Sequence, residues 1–156
     1  MIIVGYQGIG KSTLAGKHNC IDLESGNFWF YDEETRQKCR HSNWYKAYCQ
    51  IANHLSEQGY TVLTSSHEVV RKELEKSKEK VYVVFPSIDL KEQWVKKLKD
   101  RYGFTGLEKD FRALANAKDR YEENITELKN GNLKCYEITD MNYDLEDIVA
   151  YLKWRG

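Results

Sequence analysis

The residues Gly5-Tyr6-Gln7-Gly8-Ile9-Gly10-Lys11-Ser12 keep the spacing G-x-x-x-x-G-K-[ST], the Walker A pattern of a phosphate-binding loop. A backbone that wraps phosphates with its N–H groups needs residues that take unusual dihedrals and leave room for oxygens. Gly5, Gly8 and Gly10 supply both. In this pattern Lys11 reaches the β- and γ-phosphates and Ser12 coordinates Mg²⁺, so the expected nucleotide contacts are Gly5, Gly8, Ile9, Gly10, Lys11, Ser12 and Thr13. A helix beginning near Ser12 and ending at Asn19 would aim its positive end at the anion. A plain glycine-rich turn between a strand and a helix gives no reason for a lysine followed by a serine. The pattern therefore predicts ATP with Mg²⁺.

Other candidates for chemistry follow along the chain. Cys20 to Gly26 reads as a short strand that brings Asp22 and Glu24 to its C-terminal end, where open α/β sheets place ligands. Alternation sets both carboxylates on one side and Leu23 toward the core; an acidic strand end or helix cap would use the same residues. Asn27-Phe28-Trp29-Phe30-Tyr31 offers aromatics that either stack on a base or pack a connection onto the sheet. Arg36, Lys38 and Arg40 form a basic cluster, either for an acceptor's phosphate or simply solvated. His67 and Arg71 stand four apart on one helix face and make an anion site or, alternatively, a cap and core pair. Lys97 and Arg101 likewise share a face of a strongly basic helix, which is a lid supplying cations or a solvated surface.

These residues need a frame to hold them. With 156 residues, one proline, no repeat and no low-complexity linker, the chain suits a single domain over 1–156 that buries its own core. Lys plus Arg equals Asp plus Glu at 24 each, which argues against a large nucleic-acid footprint. Cys20, Cys39, Cys49 and Cys135 contain no C-x-x-C pair, so zinc-knuckle and thioredoxin-like motifs are excluded and buried reduced thiols are expected. No stretch approaches a membrane span and no signal peptide precedes the first strand, so the cytoplasm is the expected compartment.

The element order follows from periodicity. Strands are expected at Met1–Val4, Cys20–Gly26, Tyr60–Thr64, Lys80–Phe85 and Leu133–Thr139. Amphipathic helices are expected at Asn43–Gln58, from Glu68 to about Lys76, and at Asp89–Arg101, broken by Tyr102-Gly103-Phe104-Thr105-Gly106. Leu107, Phe111, Leu114, Lys118, Tyr121, Ile125 and Leu128 then step as one long helix or two in series, with Lys118 interrupting the apolar seam. A last helix runs from Leu145 to Trp154.

In layout the whole chain resembles the nucleoside and nucleotide kinase branch of P-loop proteins, adenylate-kinase-like. The resemblance is specific at the Gly5–Ser12 loop and weaker at Asp22-Leu23-Glu24, Ser65-Ser66-His67 with Arg71, and Lys97 with Arg101. These echoes also resemble a small phage- or bacterial-type group. The resemblance implies an α/β, three-layer P-loop NTPase fold with a five-stranded parallel sheet in order 2-3-1-4-5 and a basic lid near 89–112. One departure is that Thr64 or Ser65 stands where hydrolytic P-loop enzymes commonly carry a Mg²⁺-holding acid, which counts against an AAA-type or helicase-type ATPase.

The leading expectation is a kinase moving the γ-phosphoryl of ATP to a small acceptor, a nucleoside or nucleotide. Lys11, with Mg²⁺ on Ser12, would act from one side and Lys97 or Arg101 from the other. Asp22 would either hold Mg²⁺ through water or act as base on an acceptor hydroxyl. Glu24 would bind the acceptor, and Arg71, His67, Arg36 or Arg40 would grip an acceptor phosphate. The rivals are a nucleotide-binding regulatory module with little turnover and a nucleic-acid end-processing kinase. No N-K-x-D motif supports a GTPase switch.

Overall fold

Short apolar runs set the centre of the molecule. A computed structural model describes residues 1–28 and 42–156. In it β1 (Ile2–Gly5), β3 (Thr61–Thr64) and β4 (Val81–Pro86) are buried along their whole length. Such strands need cover on both faces, which is the condition of a parallel sheet flanked by helices. With β2 (Cys20–Asp22) and β5 (Lys134–Ile138) at the edges, they form a five-stranded, all-parallel sheet in order β2-β3-β1-β4-β5. Ile3 of β1 stands opposite Leu63 on one side and Tyr82 on the other.

Six α-helices lie among the described residues: α1 (Lys11–Leu14), α2 (Trp44–Glu57), α3 (Glu68–Leu74), α4 (Lys91–Thr105), α5 (Glu108–Lys129) and α6 (Leu145–Arg155). Parallel strands need right-handed crossovers. These send α1 to one face, where it touches α6, and send α2, α3 and α5 to the other, where α2 packs on α3. Trp94, Tyr48, Tyr121 and Phe85 are fully buried between helices and sheet. No described helix is long and apolar enough to cross a membrane.

Four local features differ from the sequence reading. First, α1 ends at Leu14 rather than Asn19, because Gly16, His18 and Asn19 take positive φ in a tight turn that delivers the chain into β2. A one-turn helix contributes little dipole, so the loop's own amides must carry any anion binding. Second, β2 stops at Asp22, and a 3-10 turn over Ser25–Phe28 follows. Third, α4 runs through Gly103 and stops at Gly106, whose φ of 63° lets its N–H close on the Tyr102 carbonyl. Fourth, α5, expected as one long helix or two in series, is kinked at Arg120 (φ −136°, ψ 21°), and what differs is its seam: Asp110, Leu114, Ala117 and Tyr121 are buried, with Leu107, Phe111 and Lys118 outside. Apart from these four, Cys20 and Cys49 are buried as expected, but Cys135 is exposed on the edge strand β5.

Candidate functional site

All five strands end on one edge of the sheet. There α1 leaves β1 on one face, whereas β3 and β4 on either side of β1 are followed by helices on the other. A crevice opens at such a point. The Gly5–Ser12 loop fills it.

The loop is pinned from outside. Trp94 Nε1 of α4 donates to the Gln7 carbonyl at 2.9 Å, and the Tyr143 hydroxyl, just before α6, donates to the Ile9 carbonyl at 2.8 Å. The Gln7 amide Nε2 donates to the Ala113 carbonyl and to Asn116 Oδ1, each at 3.1 Å, which ties the loop to α5. With carbonyls held outward, the N–H groups of Gly8, Gly10, Lys11 and Ser12 have no acceptor among the described residues. Gly8 has φ of 86°, and a Cβ there would come within 2.9 Å of Leu98. Only glycine fits.

Lys11 lies at the centre. Its Nζ donates to the Gly5 carbonyl at 2.7 Å. Burial lowers its pKa to about 8, against the opposing pull of Asp22 and Glu24, while the Arg101 charge lowers it further. Burial in turn raises the pKa of the Asp22 carboxyl, with Lys11 pulling it back. The tip of β2 is anchored by Tyr48: its hydroxyl donates to the Leu23 carbonyl at 2.6 Å and accepts the Ser65 N–H at 2.9 Å. Asp22 and Glu24 are thereby held at the ends of β2 and β3, although the strand that was to carry both is shorter than expected.

Two cavities meet at Lys11. One of about 860 Å³ is lined by Ser12, Asp22, Glu24, Arg101 and Lys109 as well as Lys11. The other, of about 490 Å³, runs back between α3 and α5 past Ser66, Arg71, Asn116, Arg120 and Glu127. His67 borders both, its Nδ1 2.9 Å from Ser65 Oγ and its ring edge-on to Trp44. Arg71 is buried, with Nε donating to the Ser66 carbonyl at 3.0 Å and Nη2 to Glu127 Oε1 at 2.7 Å. A third cavity of about 370 Å³, beyond Gly10 and Thr13, is lined by Lys97, Tyr143 and Asp144.

The structure separates the two cations expected to share a helix face as alternatives for the phosphate. Arg101 reaches the large cavity, where Nη2 donates to Ser12 Oγ at 3.4 Å. Lys97 turns to the other side of the loop: its Nζ donates to the Tyr143 hydroxyl at 2.7 Å and lies 4.5 Å from the Trp94 ring centre. Burial lowers Lys97 to about 8, helped by the Arg101 charge. Arg36 and Arg40, with Trp29, Phe30 and Tyr31, lie outside the described residues.

Ser12 and Asp22 place a hydroxyl and a carboxylate on one cavity. Among the described residues no group of three or more His, Cys, Asp or Glu side chains converges as a metal cage. Two hard oxygen donors without a cage suit a cation that takes its remaining ligands from water and phosphate, as Mg²⁺ does.

Asp110, Arg120 and Tyr143 were not singled out in the sequence. Asn116, Arg120 and Asn124 recur every four residues, followed by Glu127, a polar stripe that the apolar seam of α5 masks. No comparable signal marks Tyr143. Neither the models of known protein families nor the curated protein sequences match this chain.

Proposed function

We propose that the chain is a P-loop kinase that moves the γ-phosphoryl group of ATP to a small acceptor of the nucleoside or nucleotide class. The observation that carries this reading is the meeting, at Lys11, of an amide-lined glycine loop with the carboxylates of Asp22 and Glu24 on one cavity. Free amides and a lysine suit a phosphate chain; a carboxylate opposite them suits an acceptor. The sheet order expected from the P-loop kinase resemblance is also the order found.

In this reading the loop from Gly5 to Thr13 and Lys11 hold the phosphates, and the third cavity, beside Tyr143 and Lys97, takes the nucleoside. Ser12 and Asp22 would hold Mg²⁺, which neutralises phosphate charge when bound. Asp22 would reach Mg²⁺ only through water, and where the acceptor presents a hydroxyl rather than a phosphate it takes the hydroxyl proton as the acceptor oxygen bonds to the γ-phosphorus. The bond from that phosphorus to the bridging oxygen breaks, and its electron pair leaves with ADP. Arg101 faces the charge that builds at Ser12. Glu24 binds the acceptor near its reacting end, while His67, Arg71 and Arg120 line the rear chamber for the rest of it.

The test is ADP release from ATP and Mg²⁺ against a panel of nucleosides, nucleoside monophosphates and short oligonucleotides, with Lys11→Ala as control. Acceptor-dependent release that the variant lacks supports the kinase and names its substrate class. Tight ATP binding without release for any acceptor would replace it with a regulatory module, and release confined to oligonucleotides with an end-processing kinase.

A further inference from the structure

The first turn of α5 runs against its own apolar pattern. Leu107 and Phe111 face solvent at 49% and 51% exposure, whereas Asp110 between them is 5% exposed. A carboxylate taken out of water is costly unless it is paired and hydrogen-bonded. Asp110 has both kinds of partner, and both come from α4, across the Gly106 corner. The Thr105 hydroxyl donates to its Oδ2. Arg101 Nε lies 3.0 Å from its Oδ1.

Nη2 of the same guanidinium donates to Ser12 Oγ at 3.4 Å. One arginine therefore spans from a buried acid to the loop serine. Among the neighbouring cations, Arg112 is paired with Glu108, Lys97 is turned to Tyr143, and Lys109 lines the same cavity with its charge acting on Asp22. Arg101 is the lid cation that meets Ser12 among the described residues.

We propose that Asp110 is a positioning residue: by gripping Nε of Arg101 it presents the terminal nitrogens of that side chain to the γ-phosphate of a triphosphate bound on the loop. This rests on the phosphotransfer reading above and goes beyond it in assigning the buried acid a task. An arginine loose in a wide cavity would lose rotamer freedom each time it met a ligand. One held at Nε has already lost that freedom and keeps its terminal nitrogens for a second anion, a division that a lysine's single nitrogen lacks. Asp110 also offsets the repulsion between Arg101 and Lys11 before a phosphate arrives. The lid cation is thus built to register the third phosphate, and a diphosphate leaves it unused.

The test compares binding of Mg·ADP and of the non-hydrolysable triphosphate Mg·AMP-PNP by titration calorimetry. The wild-type chain is expected to bind the triphosphate more tightly. Asp110→Asn and Arg101→Ala should each cut triphosphate affinity roughly tenfold and leave ADP affinity within about twofold. The double variant should bind no more weakly than Arg101→Ala alone, since the two residues act as one unit. Arg101→Lys should not restore the preference. Should Asp110→Asn fold poorly, Asp110→Glu keeps the charge, shifts the carboxylate by one methylene, and carries the same comparison. An unchanged triphosphate preference in the Asp110 variant overturns the proposal, as does an equal loss for both nucleotides, which is what a merely structural acid would give. A wild-type chain with no preference between them overturns it too, while leaving nucleotide binding in place. A wild-type chain that binds neither nucleotide overturns the phosphotransfer reading itself.

Discussion

Nucleotide binding by this chain should take up a proton, and raising the pH from 7 to 9 is the perturbation that exposes it. Lys11 has a pKa of about 8 because burial disfavours its charge. A phosphate beside it favours the charged form and returns it toward the ordinary lysine range. The charged fraction of free Lys11 is then about nine-tenths at pH 7 and about one-tenth at pH 9. Only the cation binds well, so affinity for Mg·ADP should fall roughly tenfold between those values, about 1.4 kcal/mol. Calorimetry in buffers of different ionisation enthalpy should find about half a proton taken up at pH 8. Lys97 has a similar pKa, so Lys97→Met separates the two and should leave the profile in place. Lys11→Arg, in chains that still bind, should flatten it, because a guanidinium stays charged throughout. A wild-type affinity that holds constant from pH 7 to 9 would refute the reasoning, since a lysine with the stated environment would then not be the phosphate ligand.

Lys11→Ala should abolish nucleotide binding with little change in thermal stability, as seen by calorimetric titration beside a melting curve. In Asp22→Asn, turnover with the acceptor found by the ADP-release panel should drop by about 10²–10⁴ while Mg·ATP affinity stays near wild type; an unchanged rate would remove Asp22 from the proton transfer. Gly8→Ala meets Leu98 at 2.9 Å and forces a side chain into φ of 86°, so denaturant unfolding should show a loss of about 1–3 kcal/mol.

Much of the frame was legible because its signals are local. The runs at Ile2–Gly5, Thr61–Thr64 and Val81–Pro86 are short, rich in β-branched residues and bounded by glycine, serine or proline, which together mark a doubly covered strand. The motif spacing located Lys11 and Ser12 for the same reason. What escaped depends on contacts between distant parts of the chain. Lys97 and Arg101 are four apart and read as a pair, yet a tyrosine near α6 and an aspartate in α5 draw them to opposite sides of the loop. Nothing in the sequence singles out Asp110, and its burial follows from an arginine across a corner. The length of α1 was misjudged because Gly16 is weak evidence alone and His18 and Asn19 adopt positive φ only under the demand of the next strand.

The position of Gln7 has a mechanical consequence. It is one of the four residues the motif leaves open, yet its carbonyl accepts from Trp94 in α4 and its side chain donates to Ala113 and Asn116 in α5. The α4–α5 hairpin is therefore stapled to the loop on both legs by a single residue. It cannot swing as a door on a distant hinge without tearing the loop's own supports. Beyond these contacts the chain turns at Gly106 and meets the loop again where Arg101 Nη2 donates to Ser12 Oγ at 3.4 Å. A change at Gln7 would then be felt roughly 10 Å along α4 from Trp94 and roughly 5 Å along α5 from Ala113, where Arg101 and Asp110 stand (roughly 1.5 Å of rise per helical residue).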